Sequence, residues 1–192
     1  DYEVLEKYHE GIICLSACLA GEVQKYLARG EYEKGKEAAL KYEKIFGKGN
    51  YFLEMQDHGI PEQATVNQQL MRMSEELGID LVCTNDVHYT FADDVEAHDI
   101  LLCIQTGKKK ADEDRMRYEG GQFYLKSPEE MYRLFKYAPQ AMENTQKIAD
   151  RCNVTFEFGV TKIPSFPVPE GYTSWTYLKN CAKQDFTTAI LF

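Results

Sequence analysis

Short apolar runs alternate with longer amphipathic segments along the first half of the chain, and this alternation constrains the fold most. The runs at 11–18, 51–56 and 79–83 are typical of buried strands, and each is followed by segments with helical spacing. Parallel strands need long return connections, which such helical segments provide. The order β-α-α-β-α-β-α therefore predicts an α/β fold built on a parallel sheet or barrel.

The helical segments have recognisable ends. The segment 32–46 is followed by Gly47, and a later one starts at Pro61 and ends before Gly78. A further helix is predicted from about Asp93 to Gln105. Its apolar residues are Val95, Ile100, Leu101, Leu102 and Ile104.

The chain changes character after about Gly107. A charged stretch leads to an extended segment at 122–126, and Ser127-Pro128 is typical of a helix start. A helix is predicted over 140–152, whereas three alternating prolines exclude a regular element over 163–171. We expect a mostly helical carboxyl-terminal segment, with a domain boundary at the prolines.

Composition limits the function classes. The longest apolar run is far shorter than a membrane span requires, and six cysteines without a CxxC pair favour a reducing, cytoplasmic compartment. The net charge of −9 opposes a polyanion such as DNA. Lys108-Lys109-Lys110 is the one basic cluster, and lysines after a helix are more often a solvated helix end than a nucleic-acid contact. This chain alone is expected to bind DNA weakly.

Candidate metal ligands follow the predicted strands, where α/β folds place their chemistry. Asp86 and His88 flank Val87, so in an extended segment their side chains point the same way and suit Zn²⁺ or Mn²⁺. A helix-capping aspartate beside a surface histidine is the alternative. Cys18 follows the first strand, where a thiolate could bind a metal or a buried thiol could simply pack.

Two more polar residues come at the end of the second strand. Glu54 and His58 converge there, although His58-Gly59 could be an ordinary turn. His98 lies within a predicted amphipathic helix and is expected to be structural.

The sequence also carries a family resemblance. The stretches GIICLSACLAGEV, YFLEMQDHGIPEQ, CTNDVHYTFADDVEAHDILLCIQTGK, FYLKSPEEM and FPVPEGYT resemble bacterial DNA polymerase III alpha subunits, in the same order. The similar part is the amino-terminal PHP (polymerase and histidinol phosphatase) domain and the lead-in to the polymerase palm. The resemblance implies PHP sequence over 1–110, its helical continuation over 111–162, and a linker with the start of the palm over 163–192.

The resemblance has consequences for fold and site. It implies a partial, distorted β/α barrel with a Zn or Mn site, in which Cys18, Asp86 and His88 match ligand positions. Glu54 and His58 would lie beside the metal ligands and orient them without binding the metal. The parent polymerase would use Mg²⁺ for DNA-templated synthesis, and no catalytic residue of that reaction is expected in this chain.

The chain also departs from the family. It has no His-x-His pair, and the polymerase aspartates are expected beyond Phe192, so we expect a fragment without activity of its own. The sequence from about residue 182 diverges, and we hypothesise that a shifted reading frame explains it. Sequencing that shows an uninterrupted frame through Phe192 would remove that hypothesis.

Two functions follow as expectations. The first is a PHP segment of a replicative polymerase with a structural and partner-docking role and a metal site, and a third reading is the same docking module without metal. Its partners would be the rest of the polymerase chain, the proofreading exonuclease, other replisome subunits and, through the parent, DNA. The alternative is a free-standing PHP phosphoesterase, acting as a 3′–5′ exonuclease or on a small phosphate ester. Unpaired sheet edges also predict that the fragment self-associates.

Overall fold

The computed structural model describes the backbone of residues 1–190 and the side chains of residues 1–184. The chain forms two compact units, Asp1–Asn153 and Val154–Phe192. The sheet and seven of the eight helices found in the described part belong to the first unit. The last residues of the predicted divergent tail, 191–192, lie outside the described residues.

Three parallel strands form the sheet of the first unit. They are β1 (Cys14–Leu15), β2 (Tyr51–Met55) and β3 (Leu81–Cys83), in the order β1-β2-β3. Cys14 pairs with Tyr51, and Leu53 pairs with Leu81. The predicted parallel α/β arrangement is confirmed for these strands. The first strand is much shorter than the apolar run 11–18, because the backbone turns sharply at Ala17, with φ of 68°.

The helices connect and cover the strands. Their bounds are α1 Tyr2–Tyr8, α2 Glu22–Ala28, α3 Tyr32–Phe46, α4 Pro61–Leu77, α5 Val95–Thr106, α6 Pro128–Leu134, α7 Pro139–Arg151 and α8 Ser174–Ile190. Helix α4 has proline at its start and ends at Gly78 in a left-handed conformation, with φ of 69°. Helix α6 starts with a capping box, in which Ser127 and Glu130 each accept the other's backbone N–H. Segment 163–168 contains no regular element, as the prolines predicted.

One hydrophobic core joins the sheet to helices from both sequence halves of the first unit. Leu53 and Met55 of β2 have no solvent exposure, and Phe135, which follows α6, is also fully buried in the same cluster. Helix α7 packs on β3, where the Asn144 side-chain amide donates to the Leu81 carbonyl at 2.8 Å. Residues beyond 111 therefore help to form the core that holds the sheet.

Helix α5 differs from the sequence expectation. Of its apolar residues, only Leu102 and Cys103 are buried, whereas Ile100, Leu101 and Ile104 are exposed. No helix in the described part of the chain is both long and apolar enough to cross a membrane.

Candidate functional site

The carboxyl ends of the three strands meet at one edge of the sheet, because the strands are parallel. Cys18 follows β1, Glu54 lies near the end of β2, and Asp86 and His88 follow β3. The two described non-glycine residues with left-handed φ, Ala17 at 68° and Asp86 at 44°, both lie at this edge. Such backbone conformations persist only where surrounding contacts hold them.

Glu54 connects all three strand ends. Its buried carboxylate accepts the Ala17 backbone N–H at 2.9 Å on one oxygen. The other oxygen accepts the Thr84 hydroxyl, and it also accepts the Gln56 side-chain amide at 3.2 Å. These three donors come from the segment after β1, the end of β2 and the segment after β3. The carboxylate thus satisfies buried and partly buried hydrogen-bond donors from three segments of the chain.

A second layer of polar contacts supports Glu54. The Ser16 hydroxyl oxygen accepts the Glu54 backbone N–H at 2.7 Å and the Gln24 side-chain amide at 2.6 Å. Gln24 also donates to the carbonyls of Ala17 and Glu54, at 3.0 and 3.2 Å. Gly21 comes directly before helix α2 and lies close to the loop after β1. A Cβ added at Gly21 would lie 2.3 Å from the Ser16 carbonyl oxygen. Close packing therefore fixes the segment that carries Cys18.

His58 is buried, and both of its ring nitrogens are engaged. Its Nε2 lies 2.8 Å from the Asn85 carbonyl oxygen, which can only accept, so Nε2 carries the proton. The Gln63 side-chain oxygen accepts the His58 backbone N–H at 2.7 Å, which orients the Gln63 amide nitrogen towards Nδ1 at 2.8 Å. The ring stacks on Phe123 with centroids 3.9 Å apart. His58 therefore connects the end of β2 to the loop after β3 as a neutral imidazole.

Burial lowers the pKa of His58 below its ordinary value, more than its hydrogen bond to the Asn85 carbonyl and the nearby Asp86 raise it. A histidine with a lowered folded-state pKa contributes stability above the unfolded-state pKa of about 6.5, and that stability is lost as the pH falls. We expect the free energy of unfolding to decrease on acidification from neutral pH. Urea titrations over this range should show a shallower pH dependence in His58→Gln, and an unchanged dependence would contradict the assignment.

Asp86 and His88 lie together, but not through the extended segment that the sequence suggested. The loop after β3 turns at Asp86, whose φ is left-handed, a conformation that aspartate tolerates better than most residues. The His88 Nδ1 donates to the Asp86 backbone carbonyl at 2.7 Å and lies 4.0 Å from its carboxylate oxygen Oδ1. With the proton on Nδ1, the Nε2 of His88 is the nitrogen with a free lone pair.

Aromatic rings also lie close to the His88 ring. Its ring lies 4.4 Å from Tyr118, 5.5 Å from His98 and 5.6 Å from Phe123, between centroids. Burial lowers the pKa of His98, and the neighbouring His88 lowers it further. The sequence did not indicate that Tyr118 or Phe123 would contact this loop, because they follow His88 by 30 and 35 residues.

Metal binding at this sheet edge depends on which His, Cys, Asp and Glu side chains are arranged to act as ligands. The described residues contain no group of three or more His, Cys, Asp or Glu side chains arranged to hold one. Both nitrogens of His58 and both carboxylate oxygens of Glu54 already have protein partners. Cys18 is a half-buried free thiol at the same edge. The hydrogen-bonding groups of Glu54 and His58 are therefore used within the chain.

Comparison with known proteins relates this chain to one domain family and to one kind of protein. The PHP domain family model matches residues 1–58. The DNA polymerase III subunit alpha of Campylobacter jejuni is 44% identical in an alignment of 181 residues that covers 88% of this chain. The proteins of the same name from Treponema pallidum and Thermus aquaticus are 44% and 36% identical, over 91% and 93% of this chain. This chain is homologous to one segment of the DNA polymerase III alpha subunits.

The alpha subunits are much longer than this chain. Each of these three relatives is matched over 15% of its own length. The Treponema pallidum match leaves 9% of this chain unmatched, about 17 residues, whereas the unit Val154–Phe192 has 39. The similarity to the alpha subunits therefore includes residues of both compact units.

Proposed function

We propose that this chain is a segment of a replicative DNA polymerase alpha subunit, in which its PHP-related part has a structural and partner-docking role. The observation that carries the proposal is the similarity to alpha subunits over 88–93% of the chain. A similarity confined to the PHP part would fit a free-standing enzyme equally well. The similarity that extends into Val154–Phe192 favours the polymerase segment.

The contacts at the sheet edge support a structural role. The Glu54 carboxylate and the His58 ring use their hydrogen-bonding groups on neighbouring segments of the chain rather than presenting them to a ligand. Buried polar groups that are fully satisfied make a core rigid and specific. In this proposal the Glu54 carboxylate and the His58 ring have a structural role, because they fix the loops after the strands. The segment has no activity of its own.

The structure has a three-stranded parallel sheet, and we propose a larger fold for the longer protein. We propose that the three strands are part of a distorted β/α barrel in the longer protein, since barrel strands follow one another in sequential order, as β1, β2 and β3 do. Within it, 1–110 and 111–162 would belong to the PHP domain, and 163–192 would lead into the palm. The reading-frame hypothesis for the tail from about 182 stays part of this proposal.

The activity and partners of the whole protein complete the proposal. The parent would carry out DNA-templated DNA synthesis with Mg²⁺ in the cytoplasm, together with the proofreading exonuclease and other replisome subunits. DNA would be bound by other parts of the parent, because the net charge of this chain is −9.

Metal binding by Cys18, Asp86 and His88 stays a prediction. The free Nε2 of His88 beside the Asp86 carboxylate is the feature that favours it. Zn²⁺ and Mn²⁺ are the ions whose protein sites use such ligands. The same feature, with the PHP match to residues 1–58, favours the alternative of a free-standing PHP phosphoesterase.

One experiment separates the two functions. The purified chain is assayed with Mn²⁺ on bis(p-nitrophenyl) phosphate and on a 3′-labelled oligonucleotide, and its bound metal is measured. We expect hydrolysis no greater than that of the double variant Asp86→Ala, His88→Ala. Manganese-dependent hydrolysis that the double variant loses would support the phosphoesterase and contradict the structural role. Bound metal without hydrolysis, lost in the double variant, would assign the metal site and leave the structural role intact.

A further inference from the structure

The segment 154–160 has the sequence pattern of a β-strand but forms no strand in the structure. Its alternate positions are apolar, with polar residues or glycine between them: Val154, Phe156, Phe158 and Val160. Strict alternation of β-branched and aromatic residues is typical of a strand with one apolar face. The structure has neither strand nor helix here, and its one local feature is a turn at 158–159.

The apolar side chains of this segment are exposed. The exposed fractions of the four side chains are 72%, 73%, 90% and 51%, in chain order. The rings of Phe156 and Phe158 lie 6.3 Å apart between centroids, as expected for neighbours on one face of an extended segment. Single exposed apolar residues are ordinary, but four large ones within seven residues are typical of a contact surface.

The backbone of the segment is also free to pair. The N–H groups of residues 154–158 donate to no backbone carbonyl in the described part of the chain. Little holds the turn that follows, because the exposed Glu157–Lys162 ion pair, at 3.1 Å, is of a kind that contributes at most about 1 kcal/mol. Gly159, with φ of 79°, adopts an extended conformation as readily as this one. The segment can therefore become a strand at low cost.

We propose that residues 154–160 add as a strand to the edge of a β-sheet in the remainder of the alpha subunit, an inference that rests on the proposed function. A strand added in this way bonds through its backbone and packs one face of side chains. A second copy of the segment would give only a two-stranded ribbon, which is marginally stable in water, whereas an existing sheet offers a ready edge.

The comparison with relatives favours the same partner. The Treponema pallidum match covers 91% of the 192 residues of this chain, so it includes 154–160 wherever it begins. About 85% of that subunit lies outside the match. The segment thus belongs to a part of the chain that the alpha subunits share, and most of each subunit is available to supply the sheet.

Hydrogen exchange measures the pairing directly. Residues 1–181 of this chain replace the matching segment of the Campylobacter jejuni DNA polymerase III subunit alpha, and amide exchange of residues 154–160 is compared between this chimera and the isolated chain. We expect exchange at least about tenfold slower in the chimera, because strand pairing protects amides. Equal exchange in the two proteins would overturn the proposal. Protection in the isolated chain that rises with concentration would also overturn it, since the partner would then be a second copy.

Variants on the two faces of the segment test the strand geometry. Phe156→Asp and Phe158→Asp bury a carboxylate against the sheet, so each should speed exchange of the segment in the chimera at least about tenfold. Thr155→Asp is the matched control on the other face and should retain the protection. In the isolated chain all three variants should leave the urea midpoint unchanged, because these residues are exposed there. Equal losses of protection in Thr155→Asp and Phe156→Asp would contradict a strand with one apolar face.

The result can be separated from that of the proposed function. A chimera that extends a primer while residues 154–160 exchange as fast as in the isolated chain would overturn the strand and leave the proposed function intact. A folded chimera that protects the segment without extending a primer would support the strand and count against the proposed function. If the chimera does not fold, the matching residues of the unmodified Campylobacter jejuni subunit are measured. Slow exchange there supports the proposal, and fast exchange overturns it.

Discussion

Replacing Glu54 with alanine should lower the free energy of unfolding of the first unit by about 3 kcal/mol or more. The change leaves the Ala17 N–H, the Thr84 hydroxyl and the Gln56 amide without the acceptor they share. Each of these hydrogen bonds is at least partly buried, so water cannot fully replace the carboxylate. Urea unfolding followed by circular dichroism measures the loss.

Two variants make the Glu54 result specific. Glu54→Gln retains one carbonyl oxygen and the shape of the side chain, so a smaller loss of about 1–2 kcal/mol is expected. Glu75→Ala is the control, because Glu75 is exposed in the last turn of α4, and it should change stability by no more than about 0.5 kcal/mol. Equal effects of Glu54→Ala and Glu75→Ala would show that the carboxylate does not hold the strand ends together.

Replacing Phe135 with alanine should cost about 3–5 kcal/mol, the range for removing a fully buried aromatic side chain. Phe135 follows α6, and it packs in the same cluster as Leu53 and Met55 of the central strand. The loss should therefore appear as one cooperative transition of the sheet and the later helices together. The shift of the urea midpoint, at constant slope, measures it.

The control for Phe135 is another phenylalanine. Phe156 is 73% exposed in the second unit, and Phe156→Ala should change stability by no more than about 0.5 kcal/mol. A Phe135→Ala loss below about 1 kcal/mol, or a separate early transition for residues 128–151, would contradict a shared core. Residues beyond 111 would then be an appendage to the sheet.

The sequence predicted those parts of the fold that depend on local pattern. Alternating apolar runs and helical stripes gave the parallel α/β order, Pro61 and Gly78 marked the ends of α4, and the prolines excluded a regular element at 163–168. Each of these signals lies in the backbone preference of a few neighbouring residues. The barrel and its domain boundaries depend on contacts far apart in sequence, and they stay predictions.

In the candidate site, too, the sequence predicted the features that depend on local pattern but not those that depend on contacts between distant residues. The sequence placed Cys18, Glu54 and Asp86 at strand ends, and parallel pairing of the strands brings these ends to one edge. It could not show that Gln63 orients the His58 ring, since a glutamine in a helix carries no signal of its partner. It also could not foresee the left-handed turn at Asp86, which depends on surrounding contacts.

Helix α5 shows why periodicity alone can mislead. Its apolar residues predicted a helix correctly, but they occur on two faces, and only Leu102 and Cys103 are buried in the structure. The spacing of apolar residues predicts which face of a helix is apolar, but it does not predict which part of the protein covers that face.

The most direct test of the account is a chimera with a full-length relative. The matching segment of the Campylobacter jejuni DNA polymerase III subunit alpha is replaced by residues 1–181 of this chain, which exclude the divergent tail, and primer extension is measured with Mg²⁺. Because the account gives this chain a structural role in such a subunit, the chimera should retain primer extension, and Phe135→Ala within it should reduce the active fraction on heating. A chimera that is folded by circular dichroism and sedimentation but extends no primer would contradict the account.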